Sequence, residues 1–153
     1  MLLEQLSSPQ VHDELTAWFD AWDDYVDAVD FVAARALFHP DVVGFGTRME
    51  YVAGLENLEQ QQWRTVWGTI AGFKFLTERL ISGVSPDGLL AYGIVPWSST
   101  GFHEDGTPFE RPGRATVLFT RDGQDALWRA IHTHISLDPG TPQRSHGSRP
   151  ARS

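Results

Sequence analysis

The sequence predicts an α+β fold in which a curved antiparallel sheet wraps as a cone around N-terminal helices. Three observations carry this. The last third holds two long runs rich in β-branched and aromatic residues, Arg114-Ala-Thr-Val-Leu-Phe-Thr120 and Leu127-Trp-Arg-Ala-Ile-His-Thr-His-Ile-Ser-Leu137. Arg121-Asp122-Gly123 lies between them, and Asp-Gly is a strong hairpin signal. An acidic, aromatic segment of helical periodicity precedes the sheet.

The elements follow in order. Ser8-Pro9 is a helix start, with Ser8 as N-cap and Pro9 at the first helical position. Leu15, Trp18/Phe19, Trp22, Tyr25/Val26 and Val29 then recur at three-to-four spacing, as one buried helix face requires. The opposite face holds Asp13, Glu14, Asp20, Asp23, Asp24 and Asp27 and reads as solvated surface. A second short helix covers residues 31–38 and stops at His39-Pro40, because the residue before proline is pushed out of the α region. Residues 41–46 and 50–53 form a short strand pair around Thr47-Arg48. A third helix spans 55–69, with Leu58, Gln62, Val66 and either Trp63 or Trp67 inward. Sheet follows over 73–84, 89–102, 114–120 and 126–137, with turns at Ser85-Pro-Asp-Gly88 and His103-Glu-Asp-Gly106.

The chain divides into one domain, residues 1–138, and a tail, residues 139–153. The tail is proline, glycine, serine and arginine without apolar periodicity, so disorder is expected there. It carries Arg144, Arg149 and Arg152 and no acid, which leaves the folded part more acidic than the whole.

With 153 residues, 41% of them hydrophobic, the chain has enough apolar material for one packed core. A formal charge of −8 argues against general nucleic-acid binding and against anionic membrane surfaces. The absence of cysteine removes disulfide scaffolds and thiolate metal sites. The amino-terminal residues lack a basic signal-peptide start, and no apolar run approaches the ~20 residues of a membrane span. A cytoplasmic protein without metal or other cofactor is the expectation.

The element order resembles the SnoaL-like branch of the nuclear transport factor 2-like superfamily, with its ketosteroid-isomerase-like fold. Phe38-His-Pro-Asp-Val-Val-Gly-Phe-Gly46 carries the resemblance early, and Arg121-Asp-Gly with Trp128-Arg-Ala-Ile-His-Thr-His134 carries it late. The subgroup containing the association domain of calmodulin-dependent kinase is most similar. The resemblance implies a cystatin-like α+β barrel, an interior pocket, and a homodimer built on the outer sheet face. Members include isomerases, cyclases, dehydratases, epoxide hydrolases and non-catalytic binding or assembly modules, so fold alone does not assign an activity.

Three functional readings follow. The favoured one is a SnoaL-like protein that binds a small apolar or aromatic organic molecule in an aromatic-lined cavity. The second is a cofactor-independent cyclase, hydratase or isomerase, and the third a non-catalytic dimerisation or association module. A steroid-isomerase site needs a carboxylate base on the first strand pair. Here the resemblance puts Phe45 at that position, and the neutral-acid position falls near Thr116-Val117.

The candidate ligand-binding residues are Trp22, Tyr25, Phe45, Trp63, Trp67, Tyr92, Trp97, Arg114 and Thr116. Cavities of this kind are mostly apolar with a few placed polar groups, although aromatics at helical spacing also serve as plain core. Buried Tyr25 and indole N–H groups would need partners, which makes them natural polar contacts. The resemblance points Arg114 inward with Thr116, Leu118 and Thr120. It is either a carboxylate anchor at the pocket rim or a partner of Glu110 or Glu104. Arg111 and Pro112-Gly113 read as turn construction. His132 and His134 share one strand face. They serve as outer-face packing beside Trp128 and Ser136, as an acid/base pair, or as half of a metal site. Alternation favours the outer face, because Leu127, Ile131, Ile135 and Leu137 form the apolar set. His103 lies on a hairpin tip.

Overall fold

A computed structural model describes residues 6–47 and 50–147 of the chain. The first helix, α1 (Pro9–Ala28), begins as its sequence dictates. Pro9 occupies the first turn, and the Ser8 hydroxyl accepts from the Val11 N–H. It ends at Val29, whose left-handed φ of 55° lets its N–H reach the last carbonyls. The buried face is Val11, Leu15, Trp18, Phe19, Trp22 and Val26, joined by Asp23. Helix α2 (Phe31–Arg35) is capped by the Asp30 carboxylate, which accepts from the Ala33 N–H.

Strand β1 (Phe38–Phe45) starts before the His39-Pro40 pair, where continued helix was expected. Phe38 is needed in the core, where it meets Trp18, Trp22 and Trp63 edge-on or tilted. Pro40 is tolerated because it is exposed and lies where the register with the next strand slips. Strand β2 (Val52–Ala53) pairs back on β1, while Arg48 lies outside the described residues.

The third helical segment, α3, is not one regular helix. It is α over Leu55–Leu58, π over Glu59–Trp63, α over Arg64–Val66 and 3-10 over Trp67–Thr69. Gln62 and Trp63 in the π turn and Trp67 four residues on are all buried. Glu59 in that turn is buried between Arg35 and Arg64, accepting at 2.5 and 3.0 Å. The Arg35 bond is the main reason its carboxyl is held below the ordinary range, against the opposing effect of burial. Arg64 in turn covers the Phe31 ring, Phe31 stacks on Trp67, and Trp67 stacks on Trp63.

The remaining strands are β3 (Ala71–Phe75), β4 (Ile81–Val84), β5 (Leu90–Phe102), β6 (Pro108–Glu110), β7 (Gly113–Thr120) and β8 (Arg129–Leu137). The expected single strand over 73–84 is broken by a 3-10 turn at Thr77–Arg79. Eight strands make one curved sheet in the order β2-β1-β8-β7-β5-β3, with β4 and β6 also paired to β5. The β1–β8 pair is parallel; the other pairs are antiparallel. Among the described residues the sheet does not close, and β2 and β3 remain its ends. Register slips in β1, β3 and β8 supply local bends.

The slip in β8 decides which side chains face the helices. Leu118 pairs with His132, but Phe119 pairs with Ala130, so Ile131 is an extra residue. Alternation therefore reverses there: Trp128 and Ala130 are buried before it, Thr133 after it. Trp128, expected beside the histidines, belongs instead to the core.

Residues 139–147, expected to be disordered, run back across the sheet. The Ser145 hydroxyl donates to the Thr69 carbonyl and accepts from the Phe102 N–H, and Ser145 is buried. The Gln143 amide donates to the Thr47 carbonyl. Short polar side chains thus tie down a segment that has no apolar pattern. Residues 148–153 lie outside the described residues. Among the described residues, no helix is long and apolar enough to cross a membrane.

Candidate functional site

Between α1, α3 and the concave sheet face lies a cavity of about 50 Å³. Trp22 and Val26 of α1, Trp63, Val66 and Trp67 of α3, and Ile70 and Phe73 just beyond form most of its wall. The sheet contributes Trp97, Thr133 and Ile135. The polar lining consists of Thr47, Gln62, Thr133 and Arg111, together with the backbone at Gly46. The cone is thus largely filled by aromatic rings, leaving space for a few non-hydrogen atoms rather than a polycyclic ligand.

Two of the tryptophans present donors without acceptors. Trp22 is 4% exposed and Trp97 1% exposed. The Nε1 atom of each is buried with no hydrogen-bond partner among the described residues. Leaving a buried N–H unmade costs about 1–3 kcal/mol, so two in one cavity wall call for an explanation.

Arg111 is the charged group of the cavity. It is 2% exposed, in the link between β6 and β7. Its backbone is fixed to Ser99 twice, through the Arg111 N–H and through the Ser99 hydroxyl, which donates to the Arg111 carbonyl. Its Nη2 donates to the Thr47 hydroxyl at 2.8 Å, and its guanidinium lies 5.7 Å from the Trp97 ring centroid. Two glycines make room for this arrangement. A Cβ at Gly113 would lie 2.2 Å from the Ser136 carbonyl and 2.3 Å from the Trp97 ring. One at Gly46 would lie 2.8 Å from the Gln62 amide oxygen.

Of the nine residues read from the sequence, Trp22, Trp63, Trp67 and Trp97 line the cavity together. The other five do not. Tyr25 packs partly buried against the core. Phe45 is on the convex side, with ring centroids of His132 and His134 at 5.1 and 5.0 Å. Tyr92 is also convex, its ring lying where a Gly83 Cβ would be. Arg114 and Thr116 have the parity opposite to that expected. Gly113, Ala115, Val117 and Phe119 are the buried set of β7. Arg114 is more than half exposed and pairs with Asp138 at 3.6 Å, rather than with Glu110 or Glu104. Both histidines share the convex face with these residues, and the His132 ring nitrogen bonds the Val43 carbonyl at 2.7 Å.

Arg111, which the sequence pattern reads as turn construction, lines the cavity. The signal that could have found it is parity: Gly113 must be inward to clear Trp97, which turns Arg114 outward. Asp23 is a second correction, since it is buried within the acidic face that was read as solvated. It accepts from the Phe75 N–H at 2.9 Å, with the Lys74 ammonium at 3.9 Å. Burial pushes its carboxyl up to about 6, against the Phe75 and Lys74 contacts that favour the anion. It does not line the cavity; it ties α1 to β3. Among the described residues, no three His, Asp or Glu side chains gather as a metal site requires.

No family model and no curated protein matches this chain, but solved structures do. One is a candidate calcium/calmodulin-dependent protein kinase II association domain from Xanthomonas campestris. It has a TM-score of 0.69 at 22% identity, over 84% of this chain and 88% of the other. A ketosteroid isomerase-like protein from Erwinia carotovora has a TM-score of 0.69 at 14% identity, covering 88% and 100%. A nuclear transport factor 2-like protein of unknown function from Pseudomonas putida has 0.66 at 22%, covering 94% and 99%. The chain therefore has the cystatin-like α+β fold of the nuclear transport factor 2-like proteins.

Proposed function

We propose that the protein is a cytoplasmic, SnoaL-like binding protein that takes a small, largely apolar organic molecule into the cone. The observation that carries this reading is the pair of buried indole N–H groups, Trp22 and Trp97, in an otherwise apolar wall. An apolar cavity with a few convergent polar groups is the usual form of a ligand site. A catalytic reading would need a group that moves a proton. Among the described residues lining the cavity, none is Asp, Glu, His or Tyr. A thermal-shift screen of small organic acids, amides and alcohols tests the binding reading. Stabilisation by at least one chemical series is expected, and no shift across all of them would count against it.

The small size of the cavity favours, as a second reading, an association module. In either reading the convex face suits a second copy of this chain. Its central positions on β5, β7 and β8, among them Ile94, Thr116, Leu118, His132 and His134, carry no acid in a chain of net charge −8. Two copies can therefore meet there without like-charge repulsion. A dimer by light scattering is expected, and Ile94→Glu should shift it to monomer. A monomer at all concentrations would remove this face from the proposal.

A further inference from the structure

We infer that His132 and His134 form half of a transition-metal site on the convex face, which a second copy of the chain completes with its own pair. The inference rests on the reading above that two copies meet on that face, and adds an ion shared between them. Three observations lead to it. The first is the state of the His132 ring. Its Nδ1 lies 2.7 Å from the Val43 carbonyl oxygen. A carbonyl only accepts, so Nδ1 carries the proton and Nε2 carries the lone pair of the neutral ring. Metal-bound histidines are held in this way, the second ring nitrogen donating to a backbone carbonyl or a carboxylate. That bond fixes the tautomer and the ring orientation, and makes the opposite nitrogen a better ligand.

The second observation is placement. Thr133 is buried, so the residues on either side of it, His132 and His134, both turn outward. His134 is exposed and His132 half-buried. The Phe45 ring is a neighbour of both imidazoles, with centroids at 5.1 and 5.0 Å. Across the sheet the pair is matched by Val43, Phe45, Thr116 and Leu118. None of these is charged. No ammonium or guanidinium there repels a cation, and no carboxylate favours a hard one. Imidazole suits Zn²⁺, Cu²⁺ and Ni²⁺, whereas Mg²⁺ and Ca²⁺ take oxygen ligands. The net charge of −8 draws cations to the molecule as a whole.

The third observation is the ligand count. A closed zinc site takes four ligands. The pair supplies two, and among the described residues no third His, Asp or Glu joins them. In a twofold interface each copy presents the same patch, so residues near the axis meet their own counterparts. Two such pairs make a set of four imidazole nitrogens. A single chain thus holds an incomplete site, and the ion favours the paired state because only there is its coordination filled.

The test titrates the full chain, stripped with a chelator, with Zn²⁺, Cu²⁺, Ni²⁺ and Mg²⁺ in a calorimeter, with light scattering before and after. The expected result is one Zn²⁺ per two chains, a dimer tightened by roughly tenfold or more, and no uptake of Mg²⁺. His132→Gln and His134→Gln should each weaken Zn²⁺ by roughly tenfold or more. His103→Gln, beyond the end of β5, should leave its affinity unchanged. Histidine ¹⁵N spectra of the metal-free chain should show His132 protonated at Nδ1, and protonation at Nε2 alone would overturn the assignment without any variant. Zn²⁺ uptake undiminished in both histidine variants would overturn the location. One ion per chain with no change in dimer strength would overturn the sharing. A dimer that takes up no Zn²⁺ would overturn the metal site while leaving the interface intact, and a monomer with and without Zn²⁺ would overturn both.

Discussion

Two arginines of this protein lie buried beside tryptophans, and the contrast between them separates structure from site. Arg121 rests 4.0 Å above the Trp128 ring, and its neighbourhood is complete. Its Nε donates to the Gly88 carbonyl at 2.7 Å and its Nη1 to Glu14 at 3.2 Å, while Trp128 donates to the same carboxylate at 2.6 Å. One acid thus satisfies both a cation and an indole, and joins α1 to the β7–β8 connection. At the cavity, Arg111 lies 5.7 Å from the Trp97 ring centroid and donates to the Thr47 hydroxyl. The Trp22 and Trp97 indoles there donate to no described residue. The Trp128 indole thus meets a carboxylate of the chain, whereas the Trp22 and Trp97 indoles meet no acceptor among the described residues.

Removing the acid from the closed pair should have the largest effect. Glu14→Ala strands a buried guanidinium and an indole donor, and an expected loss of about 2–4 kcal/mol would be read by urea unfolding. A loss under 0.5 kcal/mol would mean that the cluster does not hold α1.

Asp23 is the intermediate case, a buried acid with the Lys74 ammonium at 3.9 Å. Its folded pKa of about 6 is above the ordinary 3.8, so protonation favours the fold. That contribution is fully present below about pH 4 and is lost as pH rises through 6. Asp23→Asn should therefore gain roughly 1–3 kcal/mol over the parent at pH 7 and little at pH 4. Equal stability of the two proteins at both pH values would contradict this.

The finest comparison uses one substitution at two positions. Trp128→Phe deletes a satisfied donor and leaves Glu14 short of a partner. Trp22→Phe deletes an unsatisfied one. Both lose similar packing, so Trp128→Phe should cost about 1–2 kcal/mol more. Equal costs in calorimetry would show that the Trp22 indole has an acceptor after all.

Most of the fold was legible because its signals are local. Ser8-Pro9 capped the first helix, the turn at Asp87-Gly88 fell in place, and period-three-to-four apolar residues marked α1. The site was only half legible. Four tryptophans found the cavity because large rings at helical spacing must be buried. Arg114 misled because alternation fixes two faces but not which one is inner. The buried state of Asp23 and the docking of Ser145 depend on single hydrogen bonds to distant strands, which leave no periodic trace. The π turn in α3 likewise rests on contacts to Arg35 from another helix.

The supernumerary Ile131 has a further consequence. Excising it would restore a regular ladder with Ala130 and Thr133 still inward, so His132 and His134 would stay on the convex side. The insertion thus bends the strand without exchanging its faces, whereas a one-residue slip of the whole ribbon against β7 would carry the imidazoles into the hollow.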